Sequence, residues 1–513
     1  MNSGHASGVF KAPQFGLTFA GGHQLRKVAI WNVLPKTPAP SREVRCAALR
    51  GWKAGAWYHK RMNENETYDV IIIGGGAAGL AAAISAAWKC RVLGEEGVAA
   101  GSGATAAASR SGAGARPASI ALLEADDRVG RSILATGNGR CNFSNAVISN
   151  DLYQNAVFVS ESLAALEKAA FWPRSCSPAG QQMQNAVLDF FADLGLCWRE
   201  EGEGRLFPIT GKASTVLDVL RAAAQGLGVK ECCNMRVRSV EPPRALGKPY
   251  TLRMADGSFQ RAHQVICAVG GSVARQLLPD DLPYAPTRSV LGPLKTDTRD
   301  IRALDNIRVR CQAALERDGA PLAQERGEVL FRKYGLSGIA IFNLSRFAQP
   351  GDTVVLDLFP DMTRDELQSY LHERAAATRT LSGREAACQD VTRGMMLPLV
   401  AEALLKTLKL RPEDPASAQN MYRLSRVAKR FKVAVEGAGD PKQCQVHRGG
   451  FLCEAFDATT MECKQHVGLF AAGEMLDVDA PCGGYNLHWA WASGTLAGAS
   501  AVAATFASQR KAR

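Results

Sequence analysis

No C-x-x-C pair, no H-E-x-x-H and no paired zinc-ligand spacing occurs in the 513 residues. These absences argue against a structural zinc site, a zinc hydrolase and a dithiol redox centre. The 14 cysteines are scattered, with Cys232-Cys233 the only close pair. Thiols so placed, with no secretory signal, point to a cytoplasmic protein whose cysteines stay unpaired. The opening residues lack the apolar core and small-residue cleavage site of a secretory leader. No Ser/His/Asp triad, carboxylate pair or internal repeat stands out. One uncharged run, residues 70–87, is long enough to suggest a membrane span, yet three consecutive glycines break it. A strand, a turn and a helix explain both the run and the break, and the sequence reads as soluble, with no membrane partner.

The net charge of +12 is uneven. Residues 1–61 hold 10 of the 61 Lys+Arg and a single acid, Glu43, so they supply +9. The other 452 residues carry 51 basic and 48 acidic side chains, a net of +3. The basic signal therefore says little about the body of the protein. Residues 1–66 read as a disordered or spurious extension, with a targeting peptide and a real basic arm as the alternatives.

Residues 68–73 form a β-branched apolar run, as a buried parallel strand should. Gly74, Gly76 and Gly79 then occupy the three glycine positions of G-x-G-x-x-G, with Ala77 and Ala78 between the last two. In that motif the first glycine turns the chain, the second lets backbone approach a pyrophosphate, and the third packs helix on strand. An alanine-rich helix is predicted over 80–90, and its N-terminus would offer N–H groups to the phosphates. A second strand over 119–124 ends in Glu124, an acid placed for an adenosine ribose. It stands 45 residues past Gly79, about twice the usual ~20. Residues 97–116 account for the excess: 17 of these 20 are Gly, Ala, Ser or Thr, a surface insertion with little to bury. Dinucleotide binding follows from the motif with its context.

Further along, 151–228 reads as mainly helical, 229–269 as strand-like and 285–360 as β-rich with turns. Residues 363–432 read as helical, and a last helix is predicted over 486–504. No second G-x-G-x-x-G is present, so any NAD(P)H would dock transiently rather than on its own Rossmann domain.

Three blocks carry a resemblance. The first is Glu124-Ala125-Asp126-Asp127-Arg128-Val129-Gly130-Arg131 with Gly137-Asn138-Gly139-Arg140-Cys141-Asn142-Phe143-Ser144-Asn145. The second is Gly327-Glu328-Val329-Leu330-Phe331 with Gly335-Leu336-Ser337-Gly338. The third runs from Gly468 through Gly473-Glu474 and Asp477 to Gly483-Gly484-Tyr485-Asn486-Leu487, then Trp491-Ala492-Ser493-Gly494. Over about residues 67–505 the chain resembles the HI0933-like bacterial flavoproteins, which include aminoacetone-oxidase-like proteins and bile-acid reductases.

The resemblance implies an α/β fold: a Rossmann-like FAD-binding domain of the glutathione-reductase type, interrupted by an inserted β-rich domain and a helical domain. Its expected bounds are 67–273 and 436–513 for the FAD-binding parts, 274–362 for the β-rich domain and 363–435 for the helical one. It also implies FAD as cofactor and hydride transfer through flavin N5, with no metal. Arg131 is then a pyrophosphate partner, Asp477 a ribityl or phosphate neighbour, and Val237 an adenine contact. Gly137, Gly139, Arg140, Cys141 and Asn142 would line the cofactor. Ala268 and Gly270 match the family's strand end, and Gly473, Glu474, Tyr485, Asn486 and Leu487 its second FAD motif. Gly483 and Gly484 would aim N–H groups at the flavin N1–C2=O edge.

Two departures bear on substrate. The block that usually follows Gly270-Gly271 is missing, and Arg332-Lys333 replaces the family's frequent Thr-His. The family implies a small-molecule substrate such as a steroid-like enone, or uridine in ribosomal RNA, or flavin binding without turnover. No stable protein partner is predicted and no catalytic acid or base is assigned. His447, His466 and His488 read as structural or surface histidines rather than catalysts. A chain starting at Met62 is expected to fold, bind FAD and keep its activity; precipitation or loss of flavin would show that the extension packs on the body.

Overall fold

The computed structural model describes residues 66–100, 118–169, 185–245, 247–272 and 275–511. The basic extension through residue 65 and the low-complexity segment over 101–117 lie outside them. The strand Thr67–Ile73 (TYDVIII) is buried along almost its whole length, because neighbours cover both of its faces and both of its edges. It pairs in parallel with Ile120–Leu123 on one side and Phe259–Cys267 on the other. Lys230–Cys232 extends the sheet in parallel beyond Ile120–Leu123. The strand Phe259–Cys267 divides its far edge. Its first half pairs antiparallel with Tyr250–Met254, and its second half pairs in parallel with Leu469–Ala471 from the C-terminal end of the chain.

The register aligns the carboxyl ends of five parallel strands. Ile73 stands beside Leu123 and Cys267, Leu123 beside Cys232, and Ala471 beside Cys267. Gly74, Glu124, Ala268 and Ala472 follow directly, each tied by its N–H to the neighbouring strand's carbonyl at 2.7–2.9 Å. In an open α/β sheet this edge is where ligands bind.

The first helix, Ala77–Ala100, runs on past Cys90, where its sequence signal ends. It packs against the last helix, Tyr485–Lys511. A Cβ on Gly494 would lie 2.2 Å from the Ala78 carbonyl oxygen, and one on Gly498 would lie 2.1 Å from that of Ala82. The four-residue spacing puts both glycines on one face, so the two helix backbones touch. Among the described residues no helix is long and apolar enough to cross a membrane.

Between the two halves of the sheet lies a closed antiparallel barrel of six strands: Leu294–Thr296, Arg308–Arg317, Ala320–Arg332, Gly335–Ser337, Thr353–Asp357 and Phe431–Ala438. The helical segment, from Arg364–Ser382 to Ala418–Lys429, falls between the last two strands. The expected boundary at 435 therefore cuts through a barrel strand. Barrel residues Phe331, Leu336 and Val354 share one core with Leu367, Leu404 and Leu424 of the helices, so the two inserted regions bury their apolar faces together. A two-stranded ribbon, Tyr284–Val290 with Val446–Phe451, connects the barrel to the sheet. The stretch over 151–228 also differs from its sequence reading, since Trp198–Glu201 and Arg205–Pro208 form a hairpin within it.

Candidate functional site

The glycine turn shows why each position excludes a side chain. Gly74 has φ +101°, and a Cβ there would lie 2.4 Å from the Ala268 carbonyl oxygen. On Gly79 a Cβ would lie 1.8 Å from the Gly74 carbonyl oxygen. Gly76 differs: its nearest obstruction is the Ser132 hydroxyl at 3.1 Å. Two of the three glycines thus serve packing, and the middle one keeps open the approach to the helix start at Ala77. Glu124 is fixed by two backbone donors, Gly75 N–H to Oε2 at 2.7 Å and Asp126 N–H to Oε1 at 2.9 Å. Met235 N–H donates to the Glu124 carbonyl, which places half-buried Val237 just beyond the same strand end. Arg131 is half-exposed and lies 3.5 Å from Asp126 and 3.6 Å from Asp127. Such exposed pairs hold an arginine only weakly.

Beyond this turn the chain adopts an unusual run of left-handed residues: Gly137 (φ 56°), Asn138 (54°), Gly139 (79°) and Cys141 (57°). Two are not glycine, so the surrounding structure must stabilise them. The loop is stitched to the last helix. Trp491 Nε1 donates to the Phe143 carbonyl, Asn145 Nδ2 to that of Gly483, and Ser144 Oγ shares a 2.9 Å hydrogen bond with His488 Nδ1. Cys141 is buried, and burial pushes its thiol up to about 11, so it is neutral at pH 7 and not a nucleophile. The Asn142 Oδ1 is buried with no hydrogen-bond partner among the described residues.

Three residues read as cofactor ligands have protein partners of their own. Arg140 bonds both oxygens of Glu201 and lies over the Phe207 ring, 4.4 Å from its centroid. Asp477 accepts from Gly449 N–H at 3.0 Å and from Asn155, so its carboxylate faces the ribbon strand. Asn486 bonds both backbone groups of Ala480 and shapes the turn before the helix. Tyr485 donates to the Val147 carbonyl, and Leu487 packs on the Rossmann core. Gly473 N–H is bound by Ser493 Oγ and its carbonyl by Trp489 Nε1. Gly270 has φ +80° with open space around it, and Ala268 is buried.

Gly483 and Gly484 are unlike each other. A Cβ on Gly483 would meet nothing nearer than 3.5 Å, whereas one on Gly484 would lie 2.2 Å from the Ser144 carbonyl oxygen. A substitution at 484 therefore breaks the contact between loop and helix, whereas one at 483 has space but meets a φ of +132° that side chains rarely adopt.

The three histidines find partners far along the chain. His447 donates its backbone N–H to Glu474 at 2.6 Å and its ring meets the same carboxylate at 3.1 Å, which raises its pKa. His466 bonds Asp281 at 2.9 Å. His488 is fully buried, and burial drops its pKa to about 3. The unfolded chain binds that proton near the ordinary value of 6.5, so folding is fully supported above it and loses support as pH falls towards 3. Between about pH 6 and 5 this adds roughly 1 kcal/mol of destabilisation per pH unit. Urea titrations should show that slope flattened in His488→Gln, and an identical slope would remove His488 as its source.

Sequence reasoning missed a second cluster, formed where the barrel meets the last helix. Asn343 bridges Glu325 of the barrel strand and the backbone N–H of Cys482, which directly precedes Gly483. Its parts lie 139 residues apart, and no local pattern marks them.

The family model described as the HI0933-like protein Rossmann domain matches residues 95–500. A 3-dehydro-bile acid delta(4,6)-reductase of Clostridium scindens is 30% identical over 84% of this chain and 98% of its own length. A ribosomal RNA dihydrouridine synthase of Escherichia coli is 26% identical over 86% of this chain and 99% of its own. A solved 3-ketosteroid-delta4-(5alpha)-dehydrogenase of Rhodococcus jostii aligns with a TM-score of 0.39 at 15% identity, covering 85% of this chain and 97% of that one. With more than half of its length matched by the family model, the chain belongs to the HI0933-like family of Rossmann-fold, FAD-dependent oxidoreductases.

Proposed function

We propose that this protein is an NAD(P)H-linked FAD reductase of a carbon–carbon double bond conjugated to a carbonyl, with a steroid-like enone as the substrate class. The carrying observation is the match to the bile-acid reductase over nearly that enzyme's whole length. The residues fit the cofactor. Gly76 leaves the start of the Ala77–Ala100 helix open to a pyrophosphate, and Glu124 is held rigidly where a ribose would lie. The weak Arg131 pairs can be exchanged for a phosphate. The orphaned Asn142 oxygen, beside Gly484, awaits a donor. When bound, FAD supplies hydride through N5. The chain's own part is to anchor the adenosine end at the strand tips and to hold the 136–145 loop and the last helix around the reacting end.

The 26% match to the ribosomal RNA synthase favours a second reading, uridine in RNA. The uracil C5=C6 bond is also conjugated to a carbonyl, so one site chemistry serves both. The test begins with the flavin that denaturation releases; FMN, or none after reconstitution, would refute the reading. NADH or NADPH should then bleach the bound FAD, and a 3-keto-4-ene steroid should restore its colour. Restoration by a uridine-containing ribosomal RNA fragment alone, with dihydrouridine lost from a knockout strain, would select the second reading.

A further inference from the structure

A reduction of this kind leaves one requirement unmet by the cofactor: a proton must reach the carbon next to the carbonyl. Glu325 lies in the barrel strand Ala320–Arg332. Its neighbours Gln324 and Arg326 turn outward to Gln312 and Asp361, so strand alternation turns Glu325 the other way, and it is partly buried. Asn343 Nδ2 donates to Glu325 Oε2 at 3.1 Å, while Asn343 Oδ1 accepts from Cys482 N–H at 2.8 Å. A backbone N–H can only donate, so Cys482 fixes the amide's orientation and presents its NH2 to Glu325. That NH2 suits a carbonyl-like oxygen and leaves Oε1 to carry a proton. Asn145 continues the chain of contacts, donating to the carbonyls of both Gly483 and Glu203. Glu325 thus stands at the junction of barrel, loop and final helix.

The charges around it are few. Burial, the largest influence, raises the Glu325 pKa, and Glu203 acts in the same direction. Asn343 and Arg346 oppose them, but the Arg346 guanidinium is committed to Asp479 at 2.6 Å. The thiol of Cys482, itself pushed up to about 12, is neutral.

We propose that Glu325 is the proton donor of the reduction; this rests on the reading of the reaction given above. Hydride from reduced FAD bonds to the carbon β to the carbonyl, and the C=C pair shifts to give an enolate. As the carbonyl re-forms, the α-carbon takes the proton from Glu325. The carboxylate left behind is reprotonated from water. The substrate gains two hydrogens, and the flavin returns oxidised. Asn343 acts here as a positioning residue.

Glu325→Gln keeps the bond from Asn343 through its amide oxygen, so the fold is expected to persist. In single-turnover experiments on pre-reduced holoenzyme, reoxidation by the enone should slow by ~10²–10⁴-fold, with reduction by NAD(P)H unchanged. The wild-type rate should fall as pH rises through the Glu325 pKa, and the variant should lack that limb. Glu325→Asp should recover part of both. Independently of any substrate, infrared difference titration of the oxidised holoenzyme should show a protonated carboxyl where surface carboxylates are ionised, absent from Glu325→Gln. A variant that reoxidises at the wild-type rate with the same pH limb overturns the proposal alone, as does a wild type without that carboxyl signal. A wild type that reduces neither enone nor uridine overturns the reading of the reaction and the proposal with it.

Discussion

Gly76→Val severely weakens FAD binding and leaves a folded chain, whereas Gly79→Val prevents stable folding: this contrast is the largest effect expected from single substitutions in the turn. Both residues belong to one motif, and a motif alone does not separate them. At Gly76 the new Cβ meets only the Ser132 hydroxyl, at 3.1 Å. A serine side chain can move aside, so the apo fold should survive. The isopropyl group would occupy the pyrophosphate's approach, and a loss of roughly a thousandfold in Kd, ~4 kcal/mol, is expected. At Gly79 the Cβ falls 1.8 Å from the Gly74 carbonyl oxygen, in the turn between the first strand and the helix. Overpacking a core usually costs about 1–3 kcal/mol, more where no rotamer relieves it. Fluorescence titration with FAD and thermal unfolding of both apo-proteins would separate the effects. A Gly76→Val protein that retains wild-type FAD affinity would place the phosphates elsewhere.

The second large effect is expected at Asp479, where Asp479→Ala should lower stability by about 3–5 kcal/mol. Asp479 is fully buried and lies 2.6 Å from Arg346 Nε and 3.4 Å from Arg448 Nε. Arg448 Nη1 also donates to the Arg346 carbonyl, and Arg288 joins it there. One carboxylate therefore pairs with two guanidinium groups, from the barrel-side helix end and from one strand of the ribbon, while Arg288 of the other strand is tied to the Arg346 carbonyl. Removing it leaves the buried Arg346 guanidinium, and Arg448 beside it, without the carboxylate that pairs them. At about 2–4 °C per kcal/mol for a large domain, Tm should fall by roughly 6–20 °C, and less for Asp479→Asn, which keeps the shape. Calorimetry on both variants is the measurement. An unchanged Tm in Asp479→Ala would mean that water reaches the cluster and replaces the carboxylate.

Within the residue order alone, the Rossmann half of this protein was already determined. A strand of β-branched residues, three spaced glycines and a helix are local features, set by interactions among residues a few positions apart. The acid Glu124 could be recognised across an insertion because low-complexity sequence has nothing to bury. The same locality explains the failures. Trp198–Glu201 and Arg205–Pro208 are four-residue strands with no apolar period, too short to be seen inside a helical stretch. The strand Phe431–Ala438 closes a barrel whose other strands precede the whole helical segment, and only that closure shows the two inserted regions to share a core. At the site, the commitments of Arg140, Asp477 and Asn486 to protein groups depended on which side chains folding brought beside them. Glu325 is one of 49 acidic residues, and nothing adjacent to it marks it out. Its distinction comes from burial, from Asn343 and from a backbone N–H at Cys482, 157 residues further along. Desolvation and long-range hydrogen bonds exist only once the chain is packed, so what they decide has no trace in the order of the residues.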